Sequence, residues 1–85
     1  MNDISNKGKK WQDWQLREIL RDIPTKRSVE RWSRVFKRGE GGVGLVYKWA
    51  YTPRWKIDLL ADEGDGRFSF ANRVHKIGRE LGIII

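Results

Sequence analysis

The sequence predicts a mainly α-helical domain: a three-helix core containing a helix-turn-helix, then a possible short β-hairpin and a C-terminal fourth helix. Residues 28–51 contain two apolar runs at helical spacing, separated by the glycine-containing break 37–42. Two short helices joined by such a turn form a helix-turn-helix. A third apolar stripe in residues 16–23 supplies a helix against which this pair can pack.

The composition limits what can stabilise the domain and what chemistry it can perform. The chain has 85 residues, no cysteine and one histidine. These numbers indicate one domain without disulfides, a cysteine-based zinc site or a histidine cluster. The five tryptophans therefore have to supply much of the core, because each buries a large apolar area.

The charge of the chain is segregated along its length. The net charge is +7, yet residues 1–56 hold fourteen basic and six acidic side chains, whereas residues 57–85 hold four and five. A basic charge concentrated in one part of a protein is typical of proteins that bind the phosphate backbone of nucleic acids. The sequence thus favours a nucleic-acid partner, with double-stranded DNA as the leading expectation.

The sequence lacks the signals of a membrane or secreted protein. No apolar run has the length of a membrane span, and residues 1–10 lack the apolar centre of a secretory signal. We therefore expect no membrane partner and an intracellular location, in the nucleoid or cytoplasm for a prokaryotic or phage protein and in the nucleus for a eukaryotic one.

The first segments are a predicted disordered basic arm, residues 1–10, and a single domain, residues 11–85. The lysines of the arm either follow a phosphate backbone or only solvate the chain. Helix one is expected from Trp11 or Gln12 to Asp22, where the following Ile23-Pro24 ends it. Its apolar stripe consists of Leu16, Ile19, Leu20 and Ile23.

Helices two and three form the predicted helix-turn-helix and complete a core at residues 11–52. Helix two is expected from Ser28, as its N-cap, to about Lys37. Helix three is expected from Gly41 or Gly42 to Tyr51. The apolar faces consist of Trp32, Val35 and Phe36 in helix two, and of Val43, Val46, Tyr47 and Ala50 in helix three.

The second half of the chain allows two interpretations. Residues 55–60 and 67–70 alternate around the turn-rich segment 61–66, which predicts a loop or hairpin over 53–70 that would form a wing. Alternatively, a helix begins near Phe68. The hairpin and the helix are compatible if the second strand changes to a helix near Ala71. A helix over residues 71–82, ended by Gly82, is expected in either case. The apolar tail should pack on the domain or cover a homodimer or other protein partner through Ile83, Ile84 and Ile85.

The spacing of three aromatic residues resembles a known family. Trp14, Trp32 and Tyr51 are separated by 18 and 19 residues, and Lys9-Lys10-Trp11 and Tyr47-Lys48-Trp49 accompany them. This pattern resembles the Myb/SANT-like branch of the homeodomain-like helix-turn-helix domains. The resemblance implies that helix three enters the major groove of DNA; SANT-like domains also bind proteins. A weaker resemblance, carried by residues 28–32 and Asp65-Gly66, is to winged-helix phage regulators and excisionases.

The composition of helix three differs from that of a helix that recognises a specific DNA sequence. It contains Gly41, Gly42 and Gly44, and its centre lacks the Asn, Gln or Arg that read base edges. We therefore expect binding through phosphates or DNA shape. Trp49 is expected to pack rather than to stack on a base. The predicted DNA contacts are Arg31, Arg34, Lys37, Arg38, Lys48, Arg54 and Lys56.

No catalytic or metal site is predicted, and no cofactor. His75 has no partner at useful spacing, so a non-enzyme is expected. The acidic residues 58–65 lack a calcium-loop pattern, and the glycine-rich run 39–44 resembles a phosphate-cradling loop in composition only, because it lacks the Gly-Lys-Ser/Thr ending. Two alternatives stay open: a protein-interaction module, and an RNA-binding protein that stacks bases on Trp49, Tyr51 and Trp55.

Overall fold

The computed structural model describes residues 3–84, which form five α-helices and no strand. The mainly α-helical prediction is thereby confirmed. α3 lies in the middle and packs against α1, α2 and α5, while α4 packs on α5. The helices are α1 Asp13–Arg21, α2 Lys26–Phe36, α3 Glu40–Ala50, α4 Arg54–Asp62 and α5 Arg67–Glu80.

The central position of α3 follows from its composition. Its residues are apolar or glycine on nearly every side, and a helix of this kind is stable when other helices surround it. The buried residues include Trp49, which packs into the core as predicted. Only a narrow stripe faces solvent, formed by Glu40, Gly41, Leu45 and Lys48.

The prediction of a β-hairpin wing over residues 53–70 is wrong in the described residues. α4 buries Ile57 completely and Leu60 partly, three positions apart, so the helical period accounts for a run that also fits an alternating strand. The Asp65-Gly66 pair lies immediately before α5, where the Asp65 carboxylate accepts a hydrogen bond of 2.9 Å from the amide of Arg67, the first residue of the helix. The alternative helix near Phe68 is confirmed.

The apolar faces of α1 and α2 are narrower than predicted. Val35 is 56% exposed and Ile23 is 67% exposed, whereas Ser33 faces the interior and donates to the carbonyl of Arg38 at 2.6 Å. Ile23 lies beyond α1, which ends at Arg21, and the buried side of α2 runs through Ser28, Ser33 and Phe36, so Val35 falls outside it. α2 also begins earlier than predicted, since Thr25, and not Ser28, is the N-cap and accepts from the amide of Ser28. An apolar pattern does not reveal a core face that uses serine for close helix packing.

The tryptophans contribute unequally to the core. Trp11 and Trp49 are buried, and Trp32 is partly buried with its ring stacked 5.4 Å from that of Phe36. Trp14 and Trp55 are 58% and 62% exposed. The expectation that the tryptophans supply much of the core therefore holds for three of the five.

Both ends of the described segment, residues 3–84, contact the helices. Asn6 hydrogen-bonds through its amide to the carbonyl of Lys37 at 2.9 Å and through its side chain to that of Phe36 at 3.0 Å. The described part of the predicted basic arm therefore lies against the end of α2. At the other end, Ile84 packs on the core while Ile83 is 38% exposed. Ile85 lies outside the described residues.

The buried hydroxyl of Tyr47 is expected to make the domain less stable in alkaline solution. Its hydroxyl donates to the carbonyl of Ile19 at 2.8 Å, and burial raises the pKa of Tyr47 to about 12. In the unfolded chain the pKa is about 10, so the folded state holds the proton more tightly. This contribution to stability is complete below pH 10 and should be lost as the pH rises towards 12, by up to ~1.4 kcal/mol per pH unit. Urea denaturation across this range should show the loss, and the Tyr47→Phe variant should lack the Tyr47 part of it.

Candidate nucleic-acid interface

The outer side of α2 forms a basic surface. Because α2 packs mainly on α3, its opposite side is open to solvent. Exposed cationic side chains follow one another along this side and end at the helix C-cap, over a length of ~16 Å at 1.5 Å per residue. We call these five residues the α2 basic face: Lys26, Arg27, Arg31, Arg34 and Lys37.

Two members of the α2 basic face have acidic partners. Arg31 lies 2.5 Å from the Asp22 carboxylate, which also accepts from the Trp32 indole at 3.0 Å. Desolvation raises the pKa of Asp22, but the hydrogen bonds from Ile23 and Trp32 and the charge of Arg31 outweigh it and leave that pKa below its ordinary value. The Lys37 amine lies 3.9 Å from Asp3.

The other three members have no carboxylate within 4.0 Å among residues 3–84: Lys26, Arg27 and Arg34. No ion pair within the described residues holds them, although the partly buried Glu30 lies three or four positions from each of them along α2. These side chains therefore offer the least obstructed positions for an anionic partner on this side of the domain.

Arg38 does not lie where the sequence prediction put it. Its side chain is only 5% exposed, and its two terminal nitrogens donate to the carbonyls of Lys9 at 2.6 Å and of Lys10 at 3.2 Å. Its guanidinium also lies over the Trp11 ring, 3.8 Å from the centroid. The prediction of an exposed Arg38 is wrong, because the residue ties the N-terminal segment to the turn between α2 and α3.

The remaining predicted contacts lie apart from α2. Lys48 is exposed on α3 as predicted, with its amine 5.1 Å from the Trp49 ring centroid. The Arg54 guanidinium donates hydrogen bonds to the Asp58 carboxylate at 3.0 Å and to the Asn72 side-chain oxygen at 2.8 Å. Lys56 is exposed on α4. The structure therefore joins Arg31, Arg34 and Lys37 on one helix and does not join Arg54 to them.

Sequence reasoning missed Lys26 and Arg27. The expected helix start at Ser28 leaves both residues before the helix, but Thr25 caps it and brings both into its first turn. The signal was present, since threonine is a favoured N-cap and Ser28 follows it by three residues. An earlier helix start places Arg27, Arg31 and Arg34 at i, i+4 and i+7, on one side of the helix.

α3 exposes few side chains that could contact bases in a DNA groove. Of its exposed residues, Lys48 is the only cation and Glu40 is acidic, while Gly41 and Leu45 offer no side-chain hydrogen bond. The helix that the sequence prediction placed in the major groove is also covered by three other helices. Of these two helices, α2 and not α3 carries most of the exposed cationic side chains.

A second exposed surface combines aromatic and basic residues. Tyr51, after α3, and Trp55, on α4, are 56% and 62% exposed. The Lys56 amine lies 5.5 Å from the Trp55 ring centroid. We call this group, with Lys48, the aromatic corner. Flat exposed rings beside cations are typical of surfaces that stack bases.

His75, the one histidine of the chain, is packed inside the domain. His75 is 1% exposed and its Nε2 atom lies 2.9 Å from the carbonyl of Thr52, so it joins α5 to the end of α3. Within residues 3–84 no three His, Cys, Asp or Glu side chains group as metal ligands would. In the same range, no helix has the length and apolarity needed to cross a membrane.

These features define a small all-helical domain with one open basic helix. The family described as the uncharacterised protein PM1205 C-terminal domain matches residues 5–84, and the chain belongs to this family. One relative is the uncharacterized protein PM1205 of Pasteurella multocida (strain Pm70), which is 41% identical over 78 residues. The match covers 89% of this chain and 58% of that relative, so the chain spans well under two thirds of the relative's length. No solved structure matches the chain.

Proposed function

We propose that the protein binds duplex DNA through the α2 basic face, as a small transcriptional or architectural regulator. The observation that carries this proposal is the row of exposed cations on the outer side of α2, three of which have no acidic partner among residues 3–84. The segregated positive charge of residues 1–56 supports the same surface.

The dimensions of α2 suit a groove lined by phosphates. The major groove is ~12 Å wide, and cations spread over ~16 Å of helix reach phosphates on both of its sides. Arg31 shares its charge with Asp22, so it contributes less than Arg27 or Arg34 until a phosphate competes for it. With the exposed part of α3 poor in donors, binding rests on phosphate contacts, and sequence preference is weak.

The direct test removes two unpaired cations of α2. The double variant Arg27→Gln/Arg34→Gln should bind random duplex DNA at least ~10-fold more weakly at low salt, and its log–log salt slope should fall by ~2, because each phosphate contact contributes ~0.9 to that slope. Fluorescence anisotropy across a salt series measures both quantities.

The matched control is Lys76→Gln/Arg79→Gln. It removes the same charge from exposed positions of α5 that have no acidic partner among residues 3–84. Its affinity should stay close to that of the wild type. Equal losses in the two double variants would mean that only net charge matters, and the assignment to α2 would be wrong.

The aromatic corner favours a second candidate function, the binding of single-stranded RNA. Base stacking on an exposed ring contributes ~1–3 kcal/mol per base, and Lys56 supplies charge beside the exposed Trp55 ring. Here Trp55→Ala should weaken binding of a single-stranded oligonucleotide by ~5-fold or more while leaving duplex affinity unchanged. If Trp55→Ala weakened duplex binding and left single-strand affinity unchanged, RNA binding through the aromatic corner would be excluded.

A further inference from the structure

A cavity of about 300 Å³ lies where the N-terminal segment passes the beginning of α3. Its walls include Lys7, Lys9 and Arg38, together with the glycines at positions 39, 41 and 42. It lies at the Lys37 end of α2, since α3 begins only four positions after α2 ends. The cavity contains none of the exposed cations of the α2 basic face.

The first turn of α3 has unpaired amides next to this cavity, which Gly39, Gly41 and Gly42 line. Gly39 is the N-cap and has no side chain to accept a hydrogen bond, and the first helical bonds run from Gly42 and Val43 to the carbonyl of Gly39. The amides of Glu40 and Gly41 therefore find no acceptor within the described residues. Such amides, with the positive end of the helix dipole, favour an anion.

Arg38 supplies a second, independent indication. It is 95% buried, yet no carboxylate lies within 4.0 Å of it among residues 3–84, and its Nε atom has no hydrogen-bond partner there. Desolvation lowers the pKa of Arg38, with no acidic neighbour to oppose the shift. Buried cations are ordinarily paired with an anion, and the Trp11 ring and two carbonyls offset this charge only in part.

The space in front of the amides is open. A Cβ atom built on Gly41 or Gly42 would meet no atom within 4 Å. Lys7 and Lys9 are exposed at the rim. The glycine-rich run 39–44 lacks the lysine of a phosphate-cradling loop in its own sequence, but the fold brings two lysines to it from the N-terminal segment.

We propose that this cavity binds one phosphate group, which accepts hydrogen bonds from the amides of Glu40 and Gly41 and lies between Lys7, Lys9 and the buried charge of Arg38. The group is either a backbone phosphate of nucleic acid or a free phosphate. The site does not depend on duplex binding by α2. The Glu40 side chain, in the first turn, opposes the anion.

The test uses inorganic phosphate as the probe at constant ionic strength, with chloride as the competing salt. In ¹H–¹⁵N spectra of the whole chain, the amides of Glu40 and Gly41 should shift saturably with phosphate. Lys7→Gln/Lys9→Gln should weaken this binding by ~10-fold, and Glu40→Gln should strengthen it several-fold. Arg38 variants cannot separate phosphate binding from folding, because Arg38 also holds the Lys9 and Lys10 carbonyls of the N-terminal segment.

A pair of glycine variants supplies the matched control. Gly41→Ala places a methyl group in the cavity and should weaken phosphate binding, whereas Gly44→Ala, on the same helix outside the cavity and equally free of clashes, should not. Both remove a helix-weakening glycine, so any difference in phosphate binding reports on the cavity. Absence of phosphate shifts, equal shifts with chloride, or equal effects of the two variants would overturn the site.

Saturating duplex DNA identifies the source of the phosphate group. If duplex abolishes the phosphate-induced shifts, the site holds a backbone phosphate; if they persist, it holds a free phosphate. Both results support the site. Its failure is distinguishable from failure of the proposed function, since Arg27→Gln/Arg34→Gln tests duplex binding separately.

Discussion

Replacing Ile57 by alanine is expected to destabilise the domain by ~2–5 kcal/mol, whereas the same change at Leu59 should cost less than ~1 kcal/mol. Ile57 is completely buried between α4 and its neighbours, and Leu59 on the same helix is 44% exposed. An alanine at position 57 loses the transfer free energy of the side chain and leaves a cavity. For a domain of this size, with ~5–10 kcal/mol of total stability, the loss is a large fraction.

This pair of variants also distinguishes a helix from a hairpin strand at residues 54–62. In a strand, Ile57 and Leu59 share one face, so both changes would cost similar amounts. In α4 they lie about 200° apart around the axis, and only Ile57 reaches the core. Urea denaturation of the two variants gives the comparison. Equal losses would contradict the helical assignment of residues 54–62.

Arg38→Leu is expected to lower the free energy of unfolding by ~2–4 kcal/mol, although arginine is among the residues most often found at protein surfaces. The change removes two hydrogen bonds to the carbonyls of Lys9 and Lys10 and the contact with the Trp11 ring. Those carbonyls then lose their donors where the N-terminal segment meets the core.

Arg38→Lys should restore little of this loss, since a single ammonium cannot reproduce a planar group that forks to two carbonyls and stacks on an indole. Arg34→Ala is the control: it lies four positions away, is exposed, and should change stability by less than ~0.5 kcal/mol. If Arg38→Leu were as harmless as Arg34→Ala, the buried position of Arg38 would be wrong.

The helices that the sequence predicted well are those with long apolar stripes and clear ends. α1 was placed within one or two residues, because Leu16, Ile19 and Leu20 are all buried and Pro24 follows. α3 was placed within two residues although its glycines weaken a helix. Its surroundings explain this, because burial among three helices outweighs the propensity of Gly41, Gly42 and Gly44.

α4 was mistaken for a strand because its apolar run is short. A run of six residues fits both periods, and only the packing of Ile57 and Leu60 on α5 decides between them. The Myb/SANT-like resemblance rested on aromatic spacing, and it stays a prediction. One of its aromatic anchors, Trp14, is 58% exposed in contact with Phe36.

The candidate interface was predicted in part. Charge segregation indicated a basic surface, and Arg31, Arg34 and Lys37 are on it. The burial of Arg38 depends on contacts with residues 28 and 29 positions earlier in the chain, which no local pattern reveals. Whether Lys26 and Arg27 lie inside α2 depends on which of two hydroxyl residues caps the helix. Thr25 and Ser28 are both good N-caps by sequence.

The measurement that tests the central claim most directly is the affinity of the wild-type chain for random duplex DNA across a salt series, by fluorescence anisotropy. If the α2 basic face binds phosphates, the log–log plot should be linear with a slope of about −3 to −5, reflecting three unpaired and two paired cations. An absence of duplex binding at low salt would contradict the proposal and indicate a protein partner for the charged face.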